Sequence, residues 1–167
     1  MQTLKPKILL NSTRNRSPYR LAALVAVALL LLPLLAAPAE AQGALRGLGG
    51  ETLSEASLSR GTTIIVVWAS WSPRGKDITD RVNRIAGRWG SDARVVTVNF
   101  QEDRATVEGF LRGKNLRVPV FLDLDGSFSK KNAVTNLPGL LVIKDGNTAF
   151  RGKLPDDPDG VISEILG

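Results

Sequence analysis

Residues 62–77 read "TTIIVVWASWSPRGKD", and the reading of this stretch decides the fold. The run "TTIIVVWA" (62–69) is β-branched and apolar without alternation, the pattern of a strand buried on both faces. Directly after it, Ile78, Val82, Ile85, Ala86 and Trp89 fall on one stripe of a helix over 72–90. A second buried strand, "ARVVTVNF" (93–100), and a helix over 102–115 with Val107, Phe110 and Leu111 inward complete a repeat of the same alternation. Strand–helix–strand order implies parallel strands joined by right-handed crossovers.

Working outward, a short helix is expected in 51–60, with Leu53, Ala56 and Leu58 at helical spacing. Residues 42–50, "QGALRGLGG", are Gly-rich and read as a flexible lead-in. Past residue 117, Pro119 opens a third apolar strand, and "SFSKKNAV" reads as a short helical or irregular piece. The segment "LLVIKDGNTAFRGK" reads as a hairpin turning at Asp145–Gly146, with Asn147 a candidate extension of the turn. A C-terminal helix follows, with Asp159 as its N-cap. The expected architecture is α/β: one mixed sheet flanked by helices.

The first 41 residues differ in kind. Five basic residues lie before Leu21, the run "LAALVAVALLLLPLLAA" follows, and "AEA" ends at Ala41. This is the three-part pattern of a signal peptide cut near Ala41/Gln42. Pro33 and an apolar run of about fifteen residues argue against a bilayer crossing, which needs ~20. The expectation is export, to the periplasm in a bacterium, with membrane attachment only if the leader stays uncleaved. Beyond residue 41, 17 basic residues face 15 acidic ones, so the formal +6 resides mainly in the leader. Without basic–aromatic interleaving, no nucleic-acid partner is expected.

The chain has no cysteine and no histidine. It therefore lacks the thiolate, and it lacks the imidazole that most often ligates metals or acts as base near neutral pH. No metal and no cofactor is expected. Asp123 and Asp125 in "DLDG", with Asp156, Asp157 and Asp159, raise the question of calcium, but the spacing is not that of an EF-hand loop, and Asp-Gly pairs form ordinary turns. Arg74, Lys76, Arg81, Arg84 and Arg88 are interleaved with Asp77 and Asp80, which favours a solvated helix face over an anion site.

In order, "VVWASWSPRGKD", "RVPVFLDLDGSFSKKNAV" and "NLPGLLVIKDGNTAFRG" resemble the thioredoxin superfamily, in particular its exported TlpA/ResA-like thiol–disulfide oxidoreductases, over about residues 51–167. The resemblance implies a thioredoxin-like domain with a cis Leu137–Pro138 bond beside the tip of the first long helix. In that branch the first motif reads W-A-S-W-C-x-x-C. Here Trp68, Ala69, Ser70 and Trp71 are kept, while Ser72 and Gly75 occupy the two cysteine positions. A hydroxyl and a hydrogen cannot form a reversible S–S bond, so the implied chemistry is lost. Ser72 with Lys76 as base is a weak alternative nucleophile, since Ser followed by Pro is first of all a helix start.

What the resemblance leaves is a groove. Trp71, Ser72, Pro73, Arg74, Leu137 and Pro138 are the candidate binding residues, for an extended peptide or another envelope protein. The competing readings are an oxidoreductase assigned by fold and a purely structural accessory domain.

Overall fold

The computed structural model describes residues 43–167. The signal-peptide reading and the proposed cut at Ala41/Gln42 lie outside the described residues. Seven strands form one sheet: β1 (Leu45–Gly47), β2 (Thr52–Leu53), β3 (Thr62–Trp68), β4 (Arg94–Phe100), β5 (Val120–Asp123), β6 (Gly139–Lys144) and β7 (Asn147–Lys153). Their spatial order is β2-β1-β5-β4-β3-β6-β7. β3, β4 and β5 run parallel, whereas β6, β7 and β1 pair antiparallel, so the sheet is mixed as expected.

The helices are α1 (Glu55–Leu58), α2 (Ile78–Trp89), α3 (Arg104–Leu111), α4 (Ser127–Lys131) and α5 (Asp159–Leu166). Alternate residues of β3 feed two cores. Ile64, Val66 and Trp68 pack with Ile78, Val82 and Ile85 of α2, Val107 of α3 and Ile162 of α5. Ile65 and Val67 pack on the other face with Leu58 of α1 and Phe128 of α4. All five of these β3 side chains are fully buried. Each such aliphatic side chain contributes roughly 1.5–3 kcal/mol, which is why an unbroken β-branched run belongs at the centre of the sheet.

Four local readings change. Residues 45–47 of the expected flexible lead-in form β1, which pairs with β5 through Arg46↔Leu122 and Gly47↔Phe121 and buries Leu45. Leu53 lies in β2, not in a helix, and its side chain is buried. The helix expected from residue 72 begins at Ile78, preceded by a separate 3-10 turn over Pro73–Gly75. Asp159 is the first residue of α5, not its cap, and its carboxylate accepts a hydrogen bond from Trp89 Nε1 at 2.8 Å. The hairpin turn is as expected. Asp145 and Gly146 both have positive φ, 49° and 79°, which suits a two-residue turn matching the strand twist; Asn147 belongs to β7.

Among the described residues no helix is long and apolar enough to cross a membrane.

Candidate functional site

The ends of three strands converge on one edge of the sheet. β3 and β4 finish there and β6 begins there, because β6 runs antiparallel to β3. The chain leaving β3 forms a tip, and the loop before β6 lies against it.

Ser70 anchors the tip. Its backbone N–H donates to Glu102 Oε2 at 2.7 Å, and its hydroxyl donates to Glu102 Oε1. Asn99 Nδ2, buried on β4, donates to the same carboxylate at 2.6 Å. Glu102 is only 8% exposed, and three donors surround it. Gln101 makes this possible: its φ of 55° turns the chain sharply past β4, so that Glu102 reaches the β3–α2 connection. The sequence reading missed Glu102, whose position just after a strand suggested a helix start.

Trp71 follows and is 62% exposed, one of two large apolar side chains so displayed among the described residues. Trp68, three residues earlier, is fully buried and packs on Phe110 with ring centroids 5.2 Å apart. The two tryptophans thus divide, one into the core and one onto the surface.

Ser72 is 5% exposed. It does precede a helical turn with Pro73 first, but its hydroxyl caps nothing in that turn. It donates instead to the Leu137 carbonyl at 3.0 Å, tying the tip to the loop before β6. Lys76 is exposed, and the Ser72 hydroxyl proton is committed to the Leu137 carbonyl and not to a base. Pro73 and Arg74 are exposed.

Gly75 is buried, and its N–H donates to the Ser72 carbonyl at 2.9 Å. A Cβ at this position would stand 2.9 Å from the Ala69 carbonyl oxygen and 3.7 Å from Ser72 Cβ. The backbone has closed on the second former cysteine position to within less than an ordinary carbon–oxygen contact. Glycine is the residue that fits without displacement.

The Leu137–Pro138 bond is cis, as the resemblance implies. Pro138 is buried, and its carbonyl accepts from Leu154 N at 3.0 Å. Leu137 is half-buried. Its N–H forms no hydrogen bond among the described residues, and its carbonyl accepts only the Ser72 hydroxyl. A carbonyl oxygen accepts two bonds, so this short backbone edge retains one donor and one acceptor direction. The structure ties Ser72 to Leu137 and sets Arg74 and Pro138 on the lining of one hollow; Trp71 and Pro73 are the chain neighbours of Ser72.

The acidic motifs serve local structure. Asp123 is fully buried and accepts from Phe128 N at 3.1 Å and Ser129 N at 2.9 Å, holding the start of α4. Asp125 Oδ1 accepts from Ser127 N at 2.9 Å, a bond that holds its carboxyl below the usual 3.8. Among the described residues no group of three or more acidic side chains could hold a metal ion.

No protein-family model and no curated protein matches the chain. Solved structures do. DsbF of Mycobacterium tuberculosis, seen in mixed oxidised and reduced forms, is 22% identical with a TM-score of 0.64, over 78% of this chain and 98% of that one. A thiol:disulfide interchange protein DsbE of Chlorobium tepidum matches at 21% and 0.64, over 74% and 92%. The exposed lipoprotein thioredoxin of Streptococcus pneumoniae matches at 20% and 0.64, over 73% and 96%. The described chain has the thioredoxin-like fold of these thiol–disulfide proteins, without a cysteine anywhere in its sequence.

Proposed function

We propose that this chain is an exported, redox-inactive recognition module that holds an extended segment of another envelope protein at the former active-site groove. One observation carries the reading: among the described residues the Leu137 N–H is unpaired, and the Leu137 carbonyl is bonded to Ser72, the chain neighbour of the exposed Trp71. An extended segment lying along that edge gains strand-like main-chain bonds, and the indole supplies apolar area. These groups need no sulfur, so recognition survives the loss that removes exchange. Without a thiol the complex rests on non-covalent contacts alone. Export is supported by the leader pattern and by the exposed lipoprotein among the similar structures.

The test is capture from envelope extract by wild type, Trp71→Ala, Leu137→Asp and a remote surface variant, Arg112→Ala. Selective loss of one partner with the first two variants, and retention with the third, supports the reading. Identical catches by all four contradict it. A purely structural role is favoured by a different observation, the Ser72 hydroxyl already bonded to Leu137 O. Under that role Ser72→Ala lowers stability while no partner distinguishes the variants.

A further inference from the structure

Resting on that recognition reading, we infer that the segment held at the groove is acidic, with a carboxylate side chain set against Arg74 and Lys153. These two side chains line one hollow of about 290 Å³ whose wall is Pro138. Both are exposed, and neither forms an ion pair or side-chain hydrogen bond among the described residues. They come from different elements: Arg74 from the 3-10 turn after Ser72, and Lys153 from the end of β7, whose register partner Gly139 follows Pro138. A peptide that continues from Leu137 past Pro138 therefore meets two uncommitted cations.

The other charges of the hollow do not cancel them. Arg81 and Asp156 face each other at 3.7 Å, and the Arg81 guanidinium also donates to Leu154 O at 3.3 Å and Pro155 O at 2.7 Å. That pair is internally neutral. Asp77 is the one remaining carboxylate on the lining, against two cations, so the hollow keeps a net positive charge. Glu102, the acid beneath the tip, is buried and enclosed by three donors. Two β7 positions nearer the turn, Arg151 adds another cation and donates to Asn132 O at 3.3 Å, toward the loop that leads to Leu137. Arginine offers a carboxylate a two-pronged partner and lysine a compact point charge, so an acidic side chain suits both walls.

The experiment uses three blocked synthetic peptides of equal length, each with a central leucine flanked by glutamates, glutamines or lysines. Binding is read from tryptophan emission, which reports mainly on Trp71 because Trp68 and Trp89 are 0% and 7% exposed. The glutamate peptide is expected to bind about tenfold more tightly than the glutamine peptide, a difference of ~1.4 kcal/mol. The lysine peptide is expected to bind least. The glutamate advantage should vanish in Arg74→Glu/Lys153→Glu, and in 1 M salt, where screening acts within about 3 Å. Both substitutions are on the surface, and an unchanged melting temperature verifies the fold. Equal binding of the glutamate and glutamine peptides, abolished for both by Leu137→Asp, overturns the acidic preference and leaves the recognition reading standing. An advantage that survives the charge reversal also overturns the preference. Absence of binding by every peptide at millimolar concentration overturns both.

Discussion

Restoring sulfur at the two emptied positions tests how much of an exchange site the backbone retains. The perturbation is the double substitution Ser72→Cys/Gly75→Cys. A Cβ built on Gly75 lies 3.7 Å from Ser72 Cβ, inside the roughly 3.5–4.5 Å that a disulfide requires. Closing so short a loop removes about 2 kcal/mol of unfolded-state entropy by the usual chain-entropy relation. Against this, the new Cβ meets the Ala69 carbonyl at 2.9 Å, and relieving such overpacking costs about 1–3 kcal/mol. The two effects are of equal size, so the oxidised variant should lie within ~1 kcal/mol of wild type, whereas the reduced variant, strained but not cross-linked, should be about 2 kcal/mol less stable than the oxidised one. Thiol titration before and after oxidant, together with urea denaturation of both forms, measures this. In an insulin-reduction assay the double variant should turn over and the wild type should remain at background, for lack of any thiol. Turnover should still be modest. The regular helix begins only at Ile78, so a thiol at position 72 sits on a 3-10 turn and gains less dipolar stabilisation than one at a long helix tip. Two thiols that stay free under oxidant would refute the geometric reasoning.

Three further outcomes follow from single contacts. Glu102→Ala leaves the Ser70 N–H, the Ser70 hydroxyl and Asn99 Nδ2 without their acceptor, and should cost about 3 kcal/mol in urea denaturation, the low end of what such orphaned groups cost together; a loss below ~1 kcal/mol would deny Glu102 its anchoring role. Ser72→Ala removes the bond to Leu137 O and should cost about 1 kcal/mol, with faster amide exchange in residues 134–137. The Thr106 N–H holds the Asp103 carboxyl below its ordinary 3.8, so Asp103 adds stability that is complete above that value and disappears as pH falls through its depressed folded-state pKa. Asp103→Asn keeps a capping oxygen, so its stability difference from wild type should shrink as pH falls below 3.8; a difference constant from pH 5 to pH 2 would contradict the assignment.

Much of the fold was legible because strong local signals coincide with tertiary demand. The unbroken 62–68 run can only be satisfied between two layers, and Asp145–Gly146 supplies the two positive φ angles of its hairpin. β1 and β2 were not legible. "LRG" and "TL" carry too few residues for any periodicity, and their pairing is decided by the β5 edge far along the chain. The break between the 3-10 turn and α2 was hidden because Lys76 and Asp77 are ordinary helix-surface residues, so nothing interrupts the apolar stripe.

The candidate site was legible in its members and illegible in its bonds. Spacing could place Ser72 before a helical turn, but its hydroxyl answers a carbonyl 65 positions away. The sequence could name Gly75 as the second cysteine position, but not the Ala69 carbonyl that would crowd a Cβ there. Glu102 reads only as the first residue of a helix, since the positive φ at Gln101 that turns it inward leaves no mark in the sequence. Asp159 was assigned to its own helix, whereas its carboxylate serves the Trp89 indole on α2.

Amide hydrogen exchange of Leu137, followed as a captured envelope partner is added, addresses the recognition claim at its narrowest point. Slowed exchange at this N–H, lost again in Leu137→Asp competition controls that no longer bind, is the expected result. A partner that binds fully while Leu137 exchanges at its free rate, with protection gathered along the outer edge of β7 instead, would contradict the account.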